Sequence, residues 1–488
     1  MAHTIARDVA VEGSEPGGVW SRTNRSLTAG LLLTIVGVAF EALAVATVMP
    51  ATARDLGGLA LYGWAFSAFM LANLVGITLS GAEADRQGPA RPFLVGVALF
   101  ALGLTIAGLA PRMEIVILAR AVQGFGAGFI SSIAYVVIGR GYTESARPRM
   151  LAMTATAWVV PGLIGPAVAG LVADHIGWRW VFLGLVPLQL IAAGMAAPGM
   201  RQLARTGDAA RNWRPVLTAL RLAVGAGLLL TGLSVVAGAG DSPSRPYIAV
   251  ALVVAGVVLG WPALRRLLPA GTLRAAPGMP AAVATHGLLN LAFFGVDAFV
   301  PLGLIDGRGQ SATVAGLALT AATITWTSGS WVQAYFAQRG LRRPLSLAGL
   351  ALIIVGVLGI IVVLAPTTPI WLAPIAWGVA GLGIGMSFST HSLTVLEMAP
   401  RGQEGSASAA LQLANVLGVA LGTGVGGVII SATSAGGGPQ AGITIQSLLM
   451  IGVTVLAMVA ALRLPQRRDA VSEPAPVAAA SEAGVAQA

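Results

Sequence analysis

The sequence predicts an all-α membrane protein of fourteen spans, and three observations predict it. Of 488 residues, 56% are hydrophobic and only 10% charged, with a mean hydropathy of +0.82; a water-soluble chain of this size needs far more charge to cover its surface. The apolar residues gather in stretches of about 20, the length that crosses a hydrocarbon core. The arginines between those stretches fall mostly in alternate loops.

Reading in order, the spans are 28–50, 61–81, 92–110, 114–138, 150–174, 179–197, 216–238, 246–264, 280–303, 312–336, 344–364, 370–396, 405–433 and 443–464. The 64 Gly and 27 Pro lie largely within these runs, which membrane helices tolerate. The first run is too long for a signal-peptide core and leads straight into the second, so it reads as retained. With the N-terminus inside, 23 of the 29 arginines fall in inside segments or at the inside ends of spans, five on the outside, and Arg120 falls inside a span. That bias places both termini in the cytoplasm. Five segments follow: a cytoplasmic N-terminal segment (1–27), a six-helix bundle (28–198), cytoplasmic linkers with two extra spans (199–279), a second six-helix bundle (280–464) and a disordered cytoplasmic tail (465–488). The tail is rich in Ala, Glu, Pro and Ser with no apolar period.

Composition excludes several function classes. The net charge of +10 comes entirely from Arg, with no Lys, and no basic run interleaves with aromatics, so the charge reads as topology and not as nucleic-acid binding. Without Lys no phosphate-binding Walker loop can exist, and without Cys there is no thiolate metal site. The four His stand apart at 3, 175, 286 and 391, with no His-Glu-x-x-His pattern. No metal, no cofactor and no enzyme activity are expected, and no soluble segment is long enough for a catalytic domain.

The two bundles repeat one feature. Gly88-Pro89-Ala90-Arg91-Pro92 follows span 2, and Gly340-Leu341-Arg342-Arg343-Pro344 follows span 10; the spans before them carry Ala65, Ser67, Ala68 and Ala318, Thr320, Ala321. Parallel six-span repeats place a substrate site between the halves near the midplane. Four motifs add detail. Gly81, Asp85, Arg86, Gly88 and Arg91 punctuate the loop after span 2. Arg120-Ala-Val-Gln123-Gly124-Phe-Gly126-Ala-Gly128 lies in span 4. Pro161-Gly162-Leu-Ile-Gly165-Pro166-Ala-Val-Ala169-Gly170 lies in span 5. Glu41 precedes Pro50 by nine residues in span 1.

Together these resemble the major facilitator superfamily, and in particular its fourteen-span drug:proton antiporters. The resemblance implies two six-helix bundles plus two linker helices, and a monomer in the plasma membrane exchanging small-molecule substrate for protons. It implies that Asp85, Arg86 and Arg91 form a breakable cytoplasmic latch, although Glu83 stands where an aliphatic is usual and Pro89-Ala90 replace a basic pair. It implies that Pro161, Gly165, Pro166 and Gly170 shape a hinge characteristic of exporters, with Ala169 replacing one glycine. It links Arg120 to proton coupling. A guanidinium within a span is costly unless it faces protein or water, so a structural Arg satisfied by carbonyls is the alternative. Glu41, where the family usually has Asp, reads as a proton- and substrate-exchanging carboxyl or as a permanent partner of Arg120. Asp297, shortly before Pro301 in span 9, reads as a second proton site or as a residue near the outer face. His286 and Asn290, one turn apart in span 9, and Gln123 are candidates for cavity lining. Uptake by symport, export of a dedicated metabolite or lipid, and a transport-inactive scaffold or sensor remain the competing functions.

Overall fold

The computed structural model describes residues 18–143, 145–203, 213–237, 244–337, 341–399, 404–434 and 439–465. The 465–488 tail assigned above lies almost wholly outside them. The described residues form helices and turns without a strand. The spans are Arg25–Asp55, Tyr62–Gln87, Ala90–Gly108, Met113–Gly141, Arg147–His175, Arg179–Arg201, Arg214–Ala237, Arg245–Leu267, Met279–Gly307, Ala312–Ala337, Arg342–Val363, Leu372–Glu397, Glu404–Ser434 and Pro439–Ala461. They are numbered 1 to 14 below. Span 6 restarts at Gly184 between Arg179–Leu183 and Leu185–Arg201. Span 9 loosens after Asp297 into a short turn at Val300–Leu302 and a π-turn at Gly303–Gly307.

Thirteen of these helices are long and apolar enough to cross a membrane. Span 10 has the length, 26 residues, but carries Thr313, Thr320, Thr323, Thr325, Thr327, Ser328, Ser330 and Gln333. A helix that shares its faces with neighbouring helices and not with lipid alone can hold these hydroxyls, most of which return a hydrogen bond to the preceding turn.

Three buried clusters organise the packing. One includes Leu31, Phe93, Phe100, Val116, Ile133 and Phe182, from spans 1 to 6. A second includes Phe293, Ile353, Val357, Trp377 and Ala457, from spans 9, 11, 12 and 14. The third joins Leu71 and Leu74 of span 2, Leu222 and Ala226 of span 7, Ala263 of span 8, and Leu413 and Leu417 of span 13. Spans 7 and 8 therefore lie over the seam between spans 2 and 13. Their own contact is backbone on backbone: a methyl on Gly256 would stand 2.6 Å from the Gly225 carbonyl oxygen. Large apolar side chains such as Val95, Leu102, Leu190, Val258, Val355 and Leu456 point outward, as a lipid-facing surface requires.

The repeat is deeper than the loop signature. Arg120-Ala-Val-Gln-Gly-Phe-Gly-Ala-Gly of span 4 runs in register with Trp377-Gly-Val-Ala-Gly-Leu-Gly-Ile-Gly of span 12. The contacts repeat with it. A methyl on Gly124 would meet the Phe69 carbonyl oxygen at 2.0 Å, and one on Gly381 the Ala322 oxygen at 2.2 Å. Gly128 abuts Asn73 O where Gly385 abuts Trp326 O, and Gly76 abuts Phe125 O where Gly329 abuts Leu382 O. In both bundles small residues let two helices touch along their backbones, which drives association where lipid supplies no hydrophobic gain.

Candidate functional site

Arg120 is buried among the helices of the first bundle. Arg120 and Glu41 are 2% and 1% exposed, which decides that neither charge is solvated by bulk water. The Arg120 guanidinium donates to a Glu41 carboxylate oxygen, to Gln123 Oε1 at 2.8 Å, and to the Ala65 carbonyl at 2.9 Å. It also lies 4.2 Å from the centre of the Phe69 ring, a cation–π contact strengthened by burial. Three spans thus converge: span 1 gives Glu41, span 2 gives Ala65 and Phe69, and span 4 gives Arg120 and Gln123. Glu41 Oε2 and Gln123 Nε2 have no hydrogen-bond partner among the described residues. In this conformation Glu41 is paired with Arg120.

The second bundle holds a different arrangement at the matching place. Trp377, in register with Arg120, donates its indole N–H to Asp297 at 2.8 Å. Its ring stacks on Phe293, with centroids 5.0 Å apart and planes at 15°. Asp297 is half-buried and ends the regular part of span 9. His286 and Asn290 are buried, and the Asn290 amide donates to the His286 carbonyl at 2.7 Å. His286 faces Phe388 and His391 at ring separations of 4.5 and 6.1 Å, and His391 is bonded to Ser346 at 2.7 Å. Half-buried Phe294, Trp326 and Phe388 extend this aromatic wall. Sequence reasoning missed Trp326 and Phe388. The signal available was span 10 itself, where Trp326 stands among Thr323, Thr325, Thr327 and Ser328.

The loop after span 2 is only partly as expected. Gly81 and Asp85 lie in the last turns of span 2; the Asp85 side chain is outside the described set. Gly88 ends the helix at φ 78°, a conformation that suits glycine. Arg86 pairs with Glu83 of its own helix at 3.1 Å, and Gln87 donates to the same carboxylate at 2.6 Å. The departure from the family pattern at Glu83 thus gives Arg86 a local partner. Arg91 is exposed on a cleft lined also by Pro89, Leu94, Met200 and Arg201.

Span 5 uses its Gly and Pro residues to touch the other bundle. Pro161, Gly165, Pro166 and Gly170 are all buried. A methyl on Gly170 would stand 2.6 Å from Ala312 O, and one on Gly316 of span 10 would stand 2.3 Å from Pro166 O. The repeat mate of this contact joins Gly63 of span 2 to Thr423 O and Gly427 of span 13. Other ties between the bundles are Tyr62 Oη to Ala298 O at 2.8 Å, Ser67 Oγ to Ala420 O at 2.8 Å and Arg54 to Asp306 at 3.2 Å. All of them lie in the half of the molecule farther from the chain termini.

A family model described as Major Facilitator Superfamily matches residues 30–288, more than half of the chain. The chain belongs to the major facilitator superfamily. It is a multi-pass transporter of small molecules and not an enzyme. Among its relatives is multidrug resistance protein 3 of Bacillus subtilis (strain 168), 26% identical over 390 residues, covering 78% of this chain and 75% of that protein. Another is the methylenomycin A resistance protein of Streptomyces coelicolor, 28% identical over 466 residues, covering 92% and 93%. The fold matches the crystal structure of a D-xylose-proton symporter with a TM-score of 0.62 at 15% identity, covering 92% of this chain and 98% of that one. At that identity the likeness speaks to superfamily architecture alone.

Proposed function

We propose that this superfamily member exports lipophilic, drug-like small molecules, many of them cationic, in exchange for protons by alternating access. The observation that carries the reading is the buried Glu41–Arg120–Gln123 group. A buried ion pair is a poor device for stability alone, since desolvation consumes most of its attraction. It becomes useful when one partner can be neutralised. Protonating Glu41 frees Arg120 to rely on Gln123 and Ala65 O and leaves Glu41 free to swing; losing that proton re-forms the pair. A change in charge at this point biases two arrangements of the bundles, provided substrate and proton bind them unequally. The aromatic wall of Trp326, Phe294 and Phe388 supplies flat, polarizable surface suited to lipophilic cations. Relatives named for multidrug resistance and for methylenomycin A resistance support the direction of transport.

In this reading Arg120, Glu41 and Asp297 serve proton coupling, and Gln123, His286 and Asn290 border the substrate path. Asp85, Arg86 and Arg91 gate the cytoplasmic end. Both termini are cytoplasmic, the membrane is the plasma membrane, and the protein works as a monomer of two six-helix bundles, 28–198 and 280–464. The polar ties between bundles gather at one end, at Tyr62, Ser67 and Arg54, which supports a conformation closed outside and facing the cytoplasm. The test is efflux of a fluorescent lipophilic cation from cells, with and without a protonophore, for wild type and Glu41→Gln. Gradient-dependent efflux by wild type, lost in Glu41→Gln, is expected. Undiminished efflux in the variant would remove Glu41 from the mechanism, and failure to move any of a broad panel would overturn the drug-export reading.

A further inference from the structure

We propose that Asp174 is the outer latch of alternating access: its carboxylate, carried by the first bundle, caps the first turn of span 10 in the second bundle and holds the termini-distal mouth shut. Asp174 occupies the last turn of span 5. Its Oδ1 accepts from Ala312 N at 3.1 Å, and its Oδ2 accepts from Thr313 N at 2.9 Å and from Thr313 Oγ1 at 2.6 Å. The first N–H groups of a helix have no partner within it, and they mark the positive end of its dipole. Such groups are ordinarily met by the residue just before the helix. Here the Ser311 hydroxyl meets Val314 N, at 3.3 Å, and the two earlier donors are met by a carboxylate 138 and 139 positions away in the sequence. A cap that could be local has instead been placed across the moving interface.

The neighbourhood is built for the same closure. Directly below the latch, Gly170 and Gly316 bring the two backbones too close for any side chain. Tyr62 Oη reaches Ala298 O, and its ring lies 5.3 Å from Phe299. The Arg54–Asp306 pair is a single contact, whereas Asp174, itself exposed, makes three bonds, two of them to backbone N–H groups. On the opposite seam the ties from Gly63 and Ser67 to span 13 are uncharged. Asp174 thus concentrates three charge-assisted bonds at one point. All three must break together when spans 5 and 10 part, and none needs rebuilding of either bundle.

The inference rests on the transporter reading but needs no transported substrate for its test. The chain has no cysteine, so Ala298→Cys, placed where Ala298 is buried against Tyr62, is the sole thiol. Its labelling by a membrane-impermeant maleimide is followed in intact cells and in inverted vesicles, with the side of the termini fixed by a C-terminal tag. Adding Asp174→Ala should raise the labelling rate on the side opposite the tag about five- to tenfold, the scale of a lost cap. Asp174→Asn, which keeps the shape, should raise it less, and Thr313→Val, which keeps both N–H donors, least. Thermal unfolding of the same proteins in detergent separates opening from collapse, and Asp174→Asn is the variant read if Asp174→Ala unfolds. Labelling of folded Asp174→Ala or Asp174→Asn within twofold of the background, or an increase on the tagged side, would overturn the latch. Failure of drug efflux alone would leave this result standing.

Discussion

Two bundles with the same backbone contacts carry opposite solutions at one position. In span 4 the residue one turn before the glycine ladder is Arg120, paired with Glu41; in span 12 the matching residue is Trp377, bonded to Asp297. The flanking glycines and the carbonyls they touch correspond one to one. Helix packing therefore does not require an arginine there, because the second bundle packs as tightly without it. The charge in the first bundle is an addition to the fold, and an intramembrane charge without a packing need supports the coupling role proposed above. The difference also divides the chemistry: a charge-balanced pair in one bundle, and a carboxylate with a neutral donor in the other.

That comparison can be broken in graded ways. The largest effect should follow Arg120→Ala, which strands the Glu41 carboxylate among apolar helices; a loss of about 3–5 kcal/mol is expected, read as a fall in unfolding midpoint in detergent. Joining Glu41→Gln to Arg120→Gln should recover most of it, since no lone charge remains, and a double variant as unstable as Arg120→Ala would refute this. Next come Gly124→Ala and Gly381→Ala, whose methyls would collide with carbonyls of the facing helix in the same way. Each should cost about 1–3 kcal/mol, and a large difference between them would show that the bundles are not packed alike. Trp377→Phe keeps the ring on Phe293 but removes the donor to Asp297, for about 1 kcal/mol. Asp297→Asn should be smallest, because it deprives no cation of its partner. A cost for Asp297→Asn equal to that of Arg120→Ala would mean that the second bundle hides an ionic site of its own.

Much of the fold was legible in the sequence because lipid imposes a simple code: apolar runs of span length, arginines between them and glycine where backbones meet. Gly88 announced its turn, and Arg120 announced itself by its place in an apolar run. The deeper repeat was also present, in the aligned glycines of spans 4 and 12, but Trp377 in place of Arg120 hid it from motif reading. Pairings were not legible. Glu41 and Arg120 are 79 positions apart, and nothing in either motif says that they touch. Asp174 gave no signal, since an acidic residue at a span end is ordinary until its partner helix is seen. In the loop after span 2, Glu83 is visible in the sequence as a departure from the motif, but its pairing with Arg86 is not.

The central claim is that neutralising Glu41 couples proton entry to substrate exit. It is tested most directly by imposing a gradient of a lipophilic cation across proteoliposomes with no initial pH difference and following internal pH. Proton movement opposite to the cation in wild type, abolished in equally well-folded Glu41→Gln, is the expected result. Proton movement in the same direction as the cation, or undiminished counterflow in Glu41→Gln, would contradict it.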